Sequence, residues 1–267
     1  MTSQLLRLSA IAARNFLVGG NVSSLSLLAK PRQMIAYANE SMFFFRTFTR
    51  RRGLPERTVF DVFPQVRFTD ISLLNRENDE TWLHTVTSFT ADIVSLCMLC
   101  RATQPKVVFE IGTLIGYTTA HLALNTPDDC EVHSLDLPPG ADPVLRTGGT
   151  DSIHIGLNKE RKRYVWEGTD AARKIQAHFG DSGTFDYSPY HGRVDLFFID
   201  GAHSYDYVRS DTLNALKCCH PGSVIAWHDF GRGAINGVSK WLVEFSKQNR
   251  VYAVPGSSVA FSVIEAK

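Results

Sequence analysis

The 267-residue sequence has no long apolar run. No stretch reaches the roughly 18 to 20 apolar residues that a bilayer-spanning helix needs, so no transmembrane segment is expected. Cysteine is also scarce: five residues, an odd number with Cys218 and Cys219 adjacent, do not make the framework of a disulfide-stapled secreted domain and suit a reducing compartment. Cys97 and Cys100 form a C-x-x-C without a second cysteine or histidine pair at zinc spacing, and they lie in the mostly apolar run 91–100, which reads as a core helix. Net charge is low as well, at +1, and no nucleic-acid partner is expected. No internal repeat is evident.

What is present is the composition of a globular enzyme, 44% hydrophobic and 21% charged, in a chain long enough for one main domain and an appendage. The charge is divided: residues 1–57 carry +7 and the remainder −6. Arg7, Arg14 and the serine-rich spacing near the start resemble an organelle presequence as much as an amphipathic helix, and a cytoplasmic location is the expectation. Arg46 and Arg50 to Arg52 offer a peripheral contact with an anionic lipid or a phosphorylated substrate. A solvated face or a contact with an acidic neighbouring subunit is the commoner use of such a run.

Apolar spacing predicts helices over 4–17 and 33–48, and Gly53-Leu54-Pro55 breaks that pattern. Residues 1–75 are therefore expected to form a helical cap or homo-oligomer contact, with Phe43 to Phe45 beside the basic run. Residues 76–267 are expected to form the catalytic domain. Helical spacing returns over 78–100. Beyond Pro105, strands over 107–111, 131–136, 194–200 and 223–227 alternate with helices over 117–124, 205–218 and 237–246, and 251–254 with 259–264 form a closing pair of strands. Such alternation means βα units on a mostly parallel sheet, with ligands at the carboxyl ends of its strands. The irregular stretch 137–173 is a candidate lid.

One segment carries the first chemistry: Glu110-Ile111-Gly112-Thr113-Leu114-Ile115-Gly116-Tyr117-Thr118 runs from strand through turn to helix. Glycine lets backbone approach a ligand closely. Leu114 stands where a dinucleotide-binding turn has its middle glycine, which favours a cofactor without pyrophosphate. This segment resembles motif I of class I S-adenosylmethionine-dependent methyltransferases, in the catechol O-methyltransferase-like branch and closest to the bacterial family 24 type. Further segments match in order: Ser134-Leu135-Asp136, Gly180-Asp181-Ser182, residues 194–205 with Asp200 and His203, and Trp227-His228-Asp229.

The resemblance implies a Rossmann-like, mostly parallel seven-stranded α/β sheet with helices on both faces. It implies S-adenosylmethionine held by Glu110, Gly112, Thr113, Gly116, Tyr117, Thr118, Asp136, Asp181, Ser182 and Asp200, with Asp136 on the ribose hydroxyls and Asp181-Ser182 at the adenine. Gly168-Thr169-Asp170 rivals that last turn. The implied catalytic residues are His203, as general base, and Asp200. Asp200, His228 and Asp229 are the candidate ligands of a divalent metal, Mg²⁺ before others, although His228-Asp229 departs from the family's acidic-then-amide pair. Without a metal, the same carboxylates bind cofactor and cap helices. The acceptor is expected to be a small hydroxylated molecule, a sugar or an aromatic. A nucleotide-dependent oxidoreductase or hydroxylase and a non-catalytic cofactor-binding module are the alternatives.

Overall fold

The computed structural model describes residues 53–74, 90–147, 151–161, 163–231 and 236–266. The helices expected over 4–17 and 33–48, the basic run at Arg46 to Arg52, and the 78–89 half of the next helix lie outside the described residues.

Seven strands form one sheet, in the order β3-β2-β1-β4-β5-β7-β6. β1 (Val107–Ile111), β2 (Glu131–Asp136), β3 (Ile175–Phe179), β4 (Val194–Ile199) and β5 (Cys219–Trp227) are parallel. β7 (Ala260–Val263) pairs antiparallel with β5, and β6 (Tyr252–Ala253) with β7. Every residue of β1 is buried, as a central parallel strand covered on both faces requires. Along β4 the faces alternate. Phe197 and Ile199 join Phe109 and Ile111 in a core beneath α5 (Tyr205–Cys218) and α6 (Asn236–Phe245), while Leu196 and Phe198 join Val108 and Val132 in a second core under α2 (Thr90–Thr103) and α3 (Tyr117–Leu124). The Rossmann-like architecture is thus observed, with its helices on both faces.

Two local differences from the sequence expectation have plain causes. β3 was not foreseen because Ile175-Gln176-Ala177-His178-Phe179 is an edge strand with no fully buried residue and no apolar run to mark it. The 137–173 stretch is not wholly irregular: it contains α4 (Asp151–Glu160), a polar helix with Gly156 in its middle. Residues 53–74, which include α1 (Val59–Val62), pack on the domain through Leu54, Val59 and Val66, and the Pro55 carbonyl and Arg57 amide bond the backbone of Ala253. All five cysteines are buried free thiols, and burial pushes Cys97 up to about 12, so the C-x-x-C belongs to the core of α2.

Candidate active site

The five parallel strands bring their carboxyl-end loops to one edge. The turn after β1 begins at Gly112, whose φ of +96° lies in the left-handed region. A Cβ there would fall 2.1 Å from the Asp200 carbonyl oxygen, so only glycine lets the ends of β1 and β4 meet this closely. Leu114, in the middle-glycine position, adopts φ +49°, and Gly116 opens α3 at φ +79°. Beneath the turn Glu110 is fully buried; one carboxyl oxygen accepts from the Thr119 and Ser134 hydroxyls and the other has no partner. Burial pushes Glu110 up to about 8, with Asp200 and Asp136 adding to the rise. Thr113 joins this network through Ser134, at 2.7 Å. Tyr117 instead packs in an apolar cluster with Ile93 and Cys97, and Thr118 is buried.

Asp136 ends β2, as the sequence places it, but its partner was not foreseen: Arg161 Nη1 donates to Asp136 Oδ2 at 3.2 Å. Burial raises the Asp136 carboxyl in spite of that cation. The turn after β3 holds Asp181 and Ser182 at the same sheet edge, whereas Gly168-Thr169-Asp170 comes before β3, where Thr169 bonds the Trp166 carbonyl. The Asp181 oxygens are already occupied, accepting from the backbone of Val144 and Gly183 at 2.8 Å each and from the Tyr207 hydroxyl at 2.5 Å. Ser182 is buried and faces Asp211 of α5. Asp211 is fully buried, and burial pushes it up to about 7 in spite of the Ser182 hydroxyl.

At the ends of β4 and β5, ligand-type atoms of Asp200, His203 and Asp229 lie within 4.8 Å of one another. Asp229 takes φ +63°, a left-handed conformation that aspartate tolerates better than most side chains. His203 is clamped: Nδ1 faces Asp151 at 2.5 Å and Nε2 faces Asp229 at 2.8 Å. Burial works against the imidazolium, but the two carboxylates outweigh it and hold the ring up at about 10. His228 is not part of the converging trio. Its Nδ1 faces Asp200 at 2.9 Å and its Nε2 faces Asp92 at 3.1 Å, and Asp92 in turn accepts from Ser257 and from Ser258. Burial opposes protonation of His228 too, yet Asp200 and Asp229 carry it well above its ordinary value. A small cleft sits here, lined by Asp200, Ala202, His203 and His228 among others.

Sequence reasoning missed Asp92, Asp151, Asp211 and Arg161. Two of these left a trace. Asp92 is a lone acid in an apolar run, and Asp211 falls on the buried stripe of α5 with Tyr207, Val208, Ala215 and Cys218. Asp151 and Arg161 reach the site from the 137–173 stretch, and nothing local marks them.

A family profile described as "Methyltransferase domain" matches residues 109–230. No curated protein matches the chain. Among solved structures, the chain is similar to the O-methyltransferase TomG from Streptomyces achromogenes in complex with SAM (18% identity, 64% of this chain and 78% of that one, TM-score 0.45). It is also similar to the SAH-bound methyltransferase PaMTH1 of Podospora anserina (14%, 66% and 78%, TM-score 0.48). A third is an O-methyltransferase from Bacillus cereus in complex with SAH (18%, 63% and 78%, TM-score 0.42). At these identities the likeness is one of fold outline only.

Proposed function

We propose, starting from the match of residues 109–230 to a methyltransferase-domain profile, that this chain is a class I S-adenosylmethionine-dependent O-methyltransferase for a small hydroxylated acceptor. The observation that carries this reading is the abutment of Gly112 on Asp200. The turn resembling the cofactor-binding motif and the acid–histidine trio share one backbone contact, so a donor on the turn and an acceptor at the trio would be neighbours.

The residues fit the cofactor. Asp136 is an acceptor for two hydroxyls, and Glu110 holds a buried carboxyl oxygen with no partner beneath the turn. When bound, S-adenosylmethionine supplies an electrophilic methyl on a sulfonium. The chain's own part is to align and to manage charge. Asp181 shapes the turn that presents Ser182, Asp136 orients the ribose, and Asp200 stands beside the acceptor pocket.

A divalent metal also fits the trio's two carboxylates and one imidazole. That donor set suits Mn²⁺, Fe²⁺ or Zn²⁺ as well as Mg²⁺. The charge balance supports a cation. With both rings protonated, His203 and His228 face four carboxylates, Asp92, Asp151, Asp200 and Asp229. His203 takes a proton from the acceptor only after losing the one these carboxylates hold, so its role as base requires a second cation to share Asp229.

Calorimetric titration with S-adenosylhomocysteine is expected to give stoichiometric binding, and titration with a nicotinamide dinucleotide to give none; the reverse pattern would end this assignment. His203→Ala is expected to keep that affinity and to lose transfer of labelled methyl to an acceptor extract by about 10²-fold or more.

A further inference from the structure

The face of the turn where a nucleoside would lie is covered by the chain itself. Arg161 Nη1 donates to the Leu114 carbonyl at 2.6 Å and to Asp136 at 3.2 Å, and it also meets the Asn158 side-chain oxygen. The Val165 amide donates to the Ile115 carbonyl at 3.0 Å. Trp166 lies on Gly116 so closely that a Cβ there would fall 1.9 Å from the indole ring. Successive residues of the turn, 114 to 116, are thus each engaged by Arg161, Val165 or Trp166, and so is the carboxylate at the end of β2.

We infer that Arg161 and Trp166 are a built-in competitor for the adenosyl crevice, and that cofactor binds by displacing them. The inference rests on the cofactor reading above and goes beyond it, because it says that the resting enzyme occupies its own site. Three observations support a cover that opens over one fixed in the core. The Arg161–Asp136 pair is almost fully buried, with side chains 7% and 13% exposed, and a buried ion pair contributes little net stability, so its exchange for neutral hydroxyls is close to balanced. The cover also carries an uncompensated cost: Tyr164, held between the Arg161 guanidinium at 4.2 Å and the Trp166 ring at 4.0 Å, has a buried hydroxyl with no partner. Finally, the cover is tied to the acceptor side, since α4 carries Asp151 onto His203 and Asn158 onto the Leu137 carbonyl.

A site competent in only a fraction of molecules binds more weakly by that fraction, so removing the competitor tightens binding. With S-adenosylhomocysteine as the probe, Arg161→Ala is expected to lower Kd, about tenfold if one molecule in ten is open at rest. In stopped flow, the wild-type association rate is expected to level off at the opening rate, with a higher plateau in Arg161→Ala. The unmodified protein gives a second readout: the indole leaves a buried position, so ligand is expected to red-shift tryptophan emission, and Trp166→Phe to remove that shift. Weaker binding by Arg161→Ala with a linear rate dependence would make these residues ligand contacts and overturn the inference, as would unchanged emission in the wild type. Absence of binding by both proteins would overturn the cofactor reading itself, a distinct result.

Discussion

Glu110 shows how a single side chain can be read in sequence and still hold a surprise. Its place in the buried run of β1 was legible, but its unpartnered oxygen was not, and burial rather than any ligand sets its proton affinity. The fold favours the neutral carboxyl, whose pKa rises from an ordinary 4.5 to about 8. The associated stability is full below about pH 4.5 and is lost as pH rises through about 8. Glu110→Gln keeps the group neutral, so from pH 5 to 8.5 its Tm is expected to fall less than that of the wild type, by roughly 10 °C or about 4 kcal/mol in a chain of this size. Parallel Tm profiles would show that Glu110 is ionised throughout. Asp136, Asp200, His203 and Asp229 were likewise nameable from sequence because each follows a strand. Their partners Arg161, Asp151 and Asp92 were not, since 25, 52 and 136 residues separate Arg161 from Asp136, Asp151 from His203 and Asp92 from His228.

Among the elements, β1 and β4 were identified by their buried runs and β3 was missed, because an edge strand alternates weakly and exposes most of its side chains. The junction of β1 with β4 is the structural hinge of the site, and its tolerance is set by Gly112. A Cβ would overlap backbone, which cannot rotate away as a side chain can. Gly112→Ala is expected to destabilise the protein by about 3 kcal/mol, the upper end of overpacking costs. It would appear as a lower midpoint in urea with an unchanged slope. A midpoint within error of wild type would mean that the strand ends part more readily than the 2.1 Å approach implies. α4 falls at the other extreme: a polar helix inside a stretch of turn residues gives periodicity little to work with, yet it delivers Asp151 to the site.

At the scale of the whole molecule, the buried excess of carboxylate ties α2, α4, β4 and β5 into one charged network, for which we propose a divalent cation as the complement. Mn²⁺ at about 100 times its Kd is expected to stabilise the fold by about 2.7 kcal/mol, reversed by chelator and absent in Asp229→Asn. Because a metal bound to His203 must displace a proton held up to about 10, the gain at one fixed Mn²⁺ concentration is expected to be larger at pH 8.5 than at pH 6.5. A Tm indifferent to Mn²⁺ at both pH values would leave the trio as a protonated acid–histidine cluster. No helix among the described residues is long and apolar enough to cross a membrane, in keeping with the lack of long apolar runs. The sequence alone determined the order of strands and helices, the glycine turn and the acids at strand ends, because strand period, turn chemistry and burial are written locally. Only the tertiary structure decided that His203 is clamped between two carboxylates, that His228 is turned toward Asp92, and that Arg161 and Trp166 cover the turn. Those pairings join residues from distant segments, and proton affinity depends on what the fold places alongside a side chain and on how much water it removes.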